Sequence, residues 1–126
     1  MKVFDASAAL AIAFNEPGAA KAERLLEDGD AVISSVNHAE VVARLLERGL
    51  SEAETEAVCA SLRLDVLPFS AAQALLSGRL RASTRALGLS LGDRCCLALA
   101  QAHGAQIVTA DRPWKKLKGF DLLLIR

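Results

Sequence analysis

Four acidic residues stand at positions where their chemistry can be used. Asp5 closes "KVFD", Glu40 lies in "NHAEVVARLLERG", Asp93 lies in "LSLGDRCCLALA" and Asp111 closes "QIVTAD". Asp5 and Asp111 end short apolar runs. Asp93 falls in the first turn of a segment that is apolar almost all the way round. Four carboxylates at ~5 Å spacing repel by roughly 3 kcal/mol per pair at an effective dielectric of ~20. A cluster of that kind takes up protons or binds a cation. Oxygen donors with no His or Cys among them suit Mg²⁺ or Mn²⁺ rather than zinc.

Each acid also has a simpler reading. Ser90-x-x-Asp93 has capping-box spacing, and an acid in a first helical turn suits the helix dipole. Asn37-x-x-Glu40 reads as a cap, and Glu40–Arg44 as a surface i,i+4 pair on the polar side of its helix. Asp5 and Asp111 suit turn or N-cap positions. On a helical wheel Asp93 shares a stripe with Cys96, Leu97 and Ala100, so it points toward the core side. Arg94 and Gln101 mark the polar side.

The elements that would position these acids alternate in type. Short apolar runs at 2–4, 31–34, 65–69, 106–110 and 121–125 read as strands, most of them continuous as in parallel sheets covered on both faces. Helical patterns lie between them: two helices split at Asn15–Gly18, one ending at Gly49, one opening at Ser51 with Glu54 at capping-box spacing, a long one over 70–88, and one ending at Gly104. The expected fold is α/β, a three-layer sandwich with a mainly parallel sheet of about five short strands flanked by helices, in a single domain over 1–126. In open sheets of this kind ligands bind beyond the carboxyl ends of the strands, where Asp5 and Asp111 fall.

Composition narrows the class. The chain has 126 residues, 52% hydrophobic and 24% charged, as expected of a globular protein with a real core. No apolar run reaches the ~18 residues of a membrane span. An acid at position 5 argues against a signal peptide, so the expected location is the cytoplasm, with no membrane partner. Cys59, Cys95 and Cys96 make an odd set without CxxC spacing, and Cys95 and Cys96, within an apolar helical run, read as small buried hydrophobes. Neither His38 nor His103 stands where a nucleophilic triad would need it, and no glycine-rich phosphate loop is present. Net charge is zero, yet residues 1–60 carry 5 basic and 11 acidic side chains, and residues 61–126 carry 10 and 4. That asymmetry fits a basic surface for a polyanion, or an ordinary mixed surface.

At "VFDASAALAIAFNEPGA", "ISSVNHAEVVARLLERG", "LGLSLGDRCCLALAQAHGAQIVTADRPWKKL" and "LLLIR", the chain resembles the PIN-domain ribonucleases, specifically the VapC-type toxins of toxin–antitoxin pairs. The resemblance spans Met1 to Arg126 and is least specific over roughly 51–80. It implies that Asp5, Glu40, Asp93 and Asp111 form an acidic quartet that is both catalytic and metal-binding, with Ser7 and Thr109 as small hydroxyl residues supporting the first and last acids. It implies a Mg²⁺-dependent (or Mn²⁺-dependent) endoribonuclease, a hydrolase of RNA phosphodiesters. In-line attack by an activated water needs no 2′-hydroxyl, so the products would be a 5′-phosphate and a 3′-hydroxyl. The resemblance further implies a cognate antitoxin and a homodimer, and apolar helix surface near Leu45, Leu46 and Leu50 is a place for either. Arg85, Arg94, Arg112, Lys115 and Lys116 are candidate RNA contacts, or else solvated surface charge. Trp114 either stacks a base or packs in the core, the second being the better reading.

Other classes remain. A PIN-domain nuclease of RNA maturation would lack a neighbouring antitoxin gene. A phospho-receiver signalling domain would need an acid pair after strand one and an acceptor Asp after strand three, where "DVLPFS" has none at its end. A DxD phosphatase would need an acid in place of Ser7. A degenerate RNA-binding module would follow if the metal site failed to assemble. The nuclease reading predicts that all four acids line one pocket beyond the strand ends. A residue found on an opposite face would be removed from the site.

Overall fold

The computed structural model describes all 126 residues. Strand β1 (Lys2–Phe4) leads into α1 (Ala6–Ala13) and α2 (Ala19–Glu27). Next come β2 (Ala31–Ser34), α3 (Ser35–Glu47), α4 (Glu52–Ser61) and β3 (Asp65–Leu67). The chain continues through α5 (Ala71–Arg79), α6 (Arg81–Thr84), a 3-10 turn at Arg85–Leu87 and α7 (Leu91–His103). It closes with β4 (Gln106–Thr109), a 3-10 turn at Arg112–Lys116 and β5 (Leu122–Leu124). The five strands form one sheet in the order β3-β2-β1-β4-β5. Every pairing is parallel.

This order follows from how the chain is wound. It runs outward from β1 through β2 to β3, then returns past β1 to build β4 and β5 on the other side. The reversal opens a crevice between β1 and β4 at their carboxyl ends, the place where open parallel sheets bind ligands. Phe4 registers with Val108 across that junction, so the residues that follow each strand, Asp5 and those after Thr109, meet there. A phospho-receiver would need the order 2-1-3-4-5, with β3 beside β1. Here β3 is the edge strand and β2 separates it from β1.

Both faces of the sheet are covered. Val3, Val32 and Ile107 pack against Cys96, Leu97, Leu99 and Ala100 of α7, with Trp114. Phe4, Ala31 and Val108 pack against Ala8, Ala11 and Ala22 of α1 and α2, with Ile125. Ile33 joins Ala9, Val41, Leu45 and Leu62. The alternation of Val3 with Phe4, and of Ile107 with Val108, is the two-residue period of a strand placed between two helical layers. Central strands read as continuous apolar runs for this reason. The edge strand departs from that pattern. Asp65 and Val66 are exposed, and β3 ends at Leu67 because Pro68 cannot extend a ladder.

The helices start and stop on local signals. Ser51 and Glu54 close a full capping box on α4, and Ser90 and Asp93 close one on α7. Gly104 adopts the left-handed conformation after His103. The long helix expected over 70–88 is instead three pieces. The Ser83 and Thr84 hydroxyls donate back to the Leu80 carbonyl, at 3.2 and 2.7 Å, and the last turn tightens into 3-10 geometry before Gly88. Such back-bonding bends helices. Cys95 and Cys96 are buried, and burial raises both thiols above their ordinary pKa. No helix is long and apolar enough to cross a membrane.

Gly18, before α2, packs closely against Ile125, the residue after β5. Its φ is +94°, and a Cβ there would lie 2.7 Å from the Ile125 carbonyl oxygen. Gly49 has the same φ, with open space around it. Gly49→Ala therefore costs about 1 kcal/mol of left-handed strain. Gly18→Ala carries that strain plus a backbone collision and should cost clearly more. Equal losses in chemical denaturation would show that the Ile125 contact has no energetic weight.

Candidate active site

Asp5, Glu40, Asp93 and Asp111 line one pocket of about 340 Å³, together with Ala6, Ser7, Leu10, Ala43 and Arg44. They reach it from four elements: the end of β1, the middle of α3, the first turn of α7 and the end of β4.

Asp5 is the most constrained. It is buried, and its carboxylate accepts from three directions. Ser7 Oγ donates at 2.7 Å to Oδ1 and lies 2.9 Å from Oδ2; Thr109 Oγ1 donates to Oδ2 at 2.7 Å; the Ala8 N–H donates to Oδ1 at 2.9 Å, capping α1. Thr109 Oγ1 in turn accepts from the Asp111 N–H at 3.0 Å, and Ser7 Oγ accepts from the Ala110 N–H at 2.9 Å. The two hydroxyls thus join the segments after β1 and β4. Burial nevertheless dominates. It raises the Asp5 pKa from 3.8 to about 6, against the opposing effect of the Thr109, Ala8 and Ser7 hydrogen bonds, and the nearby Asp93 charge raises it further.

Asp93 is half-buried. Its Oδ2 accepts from the Ser90 N–H at 2.9 Å, while the Ser90 hydroxyl accepts from the Asp93 N–H at 3.2 Å. The capping reading and the site reading therefore coexist in one side chain. Glu40 lies inward, contrary to the polar-side reading, and accepts from Asn37 Nδ2 at 2.8 Å. Asn37 is no cap. The N-cap of α3 is Ser34, and Asn37 is a buried residue within the helix whose Nδ2 also donates to the Gly92 carbonyl at 2.9 Å. The expected Glu40–Arg44 pair does not form. Arg44 approaches Glu47 at 3.9 Å and is the one basic residue lining the acid pocket. Asp111 is exposed at the rim.

The donor set fits a hard divalent cation: four carboxylates, no His or Cys, and a buried acid whose charged form is only partly compensated by its three donors. No three of these side chains are arranged to hold an ion as they stand. Asp5, Asp93 and Glu40 each accept from a neighbouring N–H or O–H, which fixes where these carboxylates stand.

Arg85, Arg112, Lys115 and Lys116 are exposed and take part in no ion pair. A groove lined by Ser83, Ala86, Leu87, Lys116, Lys118 and Phe120 brings the turn carrying Arg85 beside the segment carrying Lys116. Arg94 does not join them. It is buried beneath α5, where its Nη1 lies 3.4 Å from the Ser77 carbonyl and its Nε has no partner. The wheel misplaces it because α5 packs over the side of α7 that would otherwise be polar. Trp114 is fully buried, so it packs rather than stacks. Leu45 is core, leaving Leu46 exposed and Leu50 half-buried. Sequence reasoning missed Asn37 and Gly92 as partners of Glu40. A glycine in the first turn of a buried helix was the available signal.

The Asp5 shift has a sign that can be tested in cation-free protein. An acid with a folded-state pKa above its unfolded value holds its proton more tightly when folded. Its contribution is present at low pH and is lost as pH rises from 3.8 through about 6. The ceiling is roughly 3 kcal/mol. Asp5→Asn removes that loss. With chelator present, the stability of Asp5→Asn relative to the parent should rise between pH 4 and pH 7, as read by denaturant titration. A difference that does not change with pH would mean that the Asp5 carboxyl ionises freely.

The PIN domain family model matches residues 2–119. No curated protein is a significant sequence match. Among solved structures, the chain is similar to a toxin–antitoxin complex from Klebsiella pneumoniae, at 21% identity and a TM-score of 0.76, covering 100% of this chain and 98% of that one. It is similar to DNA-bound VapBC from Salmonella typhimurium, at 22% identity and a TM-score of 0.79, covering 99% and 98%. It is also similar to VapC20 of Mycobacterium tuberculosis, described as a sarcin-ricin loop cleaving toxin, at 16% identity and a TM-score of 0.69, covering 87% and 88%. At these identities the likeness is one of fold.

Proposed function

The chain belongs to the PIN-domain family, and from that premise we propose that it is the endoribonuclease toxin of a toxin–antitoxin pair. The observation that carries the reading is the meeting of Asp5, Glu40, Asp93 and Asp111 in one pocket at the β1/β4 crevice. Structural relatives solved as toxin–antitoxin complexes, and one described as cleaving the sarcin-ricin loop, support the choice of RNA and of an antitoxin partner.

In this reading the four carboxylates would hold Mg²⁺ or Mn²⁺, which would supply an activated water and neutralisation of charge for phosphodiester hydrolysis. The protein's part is positional. Ser7, Thr109 and the Ala8 N–H fix the Asp5 oxygens. The α7 capping box fixes Asp93. An acidic pocket repels a polyanion, so the RNA backbone needs cations at its flank. Arg85, Arg112, Lys115 and Lys116 supply them, with Arg44 at the pocket itself. The α3–α4 groove lined by His38, Val42 and Leu46 offers apolar surface to an antitoxin or to a second copy in a homodimer. The protein acts in the cytoplasm, where its RNA is.

Two experiments test this. Mg²⁺ or Mn²⁺ should raise the melting temperature by mass action, contributing about 2.7 kcal/mol at a hundred times the dissociation constant, and Asp93→Asn should blunt the response. No shift across a titration that saturates activity would separate the acids from ion binding. In cleavage of a mixed RNA pool, Asp5→Ala should be slower by roughly a thousandfold, a loss of ~4 kcal/mol at the transition state. Its RNA affinity, measured with the cation chelated, should change little. Arg112→Ala or Lys116→Ala should instead weaken binding and flatten its salt dependence by up to about one unit of slope. Parent-like cutting by Asp5→Ala would sink the acidic-site mechanism.

A further inference from the structure

Glu40 reaches the acid pocket from the middle of a helix that is not part of the sheet crevice. Its place there depends on how α3 meets α7, and two residues of that junction touch Glu40 directly. Asn37, on the same face one turn earlier, is buried, and its Nδ2 donates both to Glu40 Oε2 at 2.8 Å and to the Gly92 carbonyl at 2.9 Å. One amide therefore grips the acid and the first turn of the neighbouring helix. Gly92 supplies the other half. It is buried one residue before Asp93, and the Glu40 carboxylate lies over its Cα. A Cβ at position 92 would collide with Glu40 Oε1, and would stand 2.7 Å from Cδ and 2.9 Å from Oε2.

Nothing in the backbone explains this glycine. Position 92 lies within the helical range of α7 and is not among the glycines with positive φ. Glycine at an ordinary helical position is less stable than alanine by about 1 kcal/mol in local propensity. The three heavy atoms nearest to where a Cβ would stand all belong to the carboxylate of Glu40.

We propose that Asn37 and Gly92 form a clamp that seats the Glu40 carboxylate against the first turn of α7, beside Asp93, and so sets the affinity of the acid pocket for its divalent cation. Asn37 and Gly92 are positioning residues. They touch Glu40 rather than substrate. The inference rests on the reading of Glu40 as one of the cation-holding acids. The clamp works because a glutamate side chain has three rotatable bonds and is costly to immobilise, whereas a prepaired carboxylate loses little freedom when an ion arrives. Partners that orient a ligand in this way typically change metal affinity by about ten- to a hundredfold when removed.

The test uses full-length protein and Mn²⁺ alone, without RNA. Calorimetric titration compares the parent, Gly92→Ala, Asn37→Ala, Glu40→Ala and the Gly92→Ala/Glu40→Ala pair. A Cβ at 92 pushes only the free end of a flexible side chain, so Gly92→Ala should stay folded. Mn²⁺ affinity should fall about tenfold in Gly92→Ala and in Asn37→Ala. In the Glu40→Ala background, Gly92→Ala should change it no further. Parent-like affinity in Gly92→Ala, or the same loss with and without Glu40, overturns the clamp while leaving the nuclease reading intact. A parent that does not bind Mn²⁺ overturns the nuclease reading instead. The clamp is then judged by melting in chelator. Gly92→Ala should raise the melting temperature more in the Glu40→Ala background than in the parent, because only there is the new methyl group unopposed. Equal shifts in the two backgrounds overturn it.

Discussion

The buried carboxylate of Asp5, at the point where β1 and β4 run side by side, is the constraint on which the rest of the structure depends. A charged oxygen pair removed from water must be surrounded by donors or by an ion. The fold brings donors from positions far apart in the chain. Ser7 and the Ala8 N–H come from the start of α1, and Thr109 comes from the end of β4. That arrangement requires β1 and β4 to be neighbours in parallel, which in turn requires the long return through α5, α6 and α7. The donors do not fully compensate the charge, since burial still holds the Asp5 pKa at about 6.

The same logic explains the helix that carries Asp93. Residues 94–100 of α7 are all buried, because α7 lies between the sheet and α5. A helix held on both sides cannot drift, so its first turn is a stable platform for a carboxylate. Burial on the outer side also encloses Arg94, a guanidinium whose only hydrogen bond is to the Ser77 carbonyl. Its side chain bolts α5 to α7 where a phosphate contact would have been expected.

Four acids gather in the crevice with Arg44 beside them, while the exposed Arg112, Lys115 and Lys116 follow directly after Asp111 on a 3-10 turn, across a groove from the segment of Arg85. In the proposed reading the flank would draw a polyanion, and a cation held by the four carboxylates would lessen the pocket's repulsion of it. Unpaired surface cations favour this role, because a side chain already engaged in an ion pair offers less to a phosphate.

The sequence by itself determined the element types, most of their boundaries, the parallel α/β architecture and the four acids. Those features rest on local signals. Apolar runs mark buried strands, glycines and serines mark helix ends, and Asp5 and Asp111 announce themselves by standing where apolar runs stop. The family motifs added Glu40, whose helical pattern alone placed it on the polar side. Only the tertiary structure decided what each side chain faces. It turned Glu40 inward, made Asn37 a bridge instead of a cap, buried Arg94 and Trp114, and split the helix over 70–88. Helical periodicity reports a single apolar face, and cannot show that a second element will cover the other one. That is why α5 hid Arg94 from the wheel, and why the contact between Glu40 and Gly92, 52 positions apart in the chain, was legible only as an unexplained glycine.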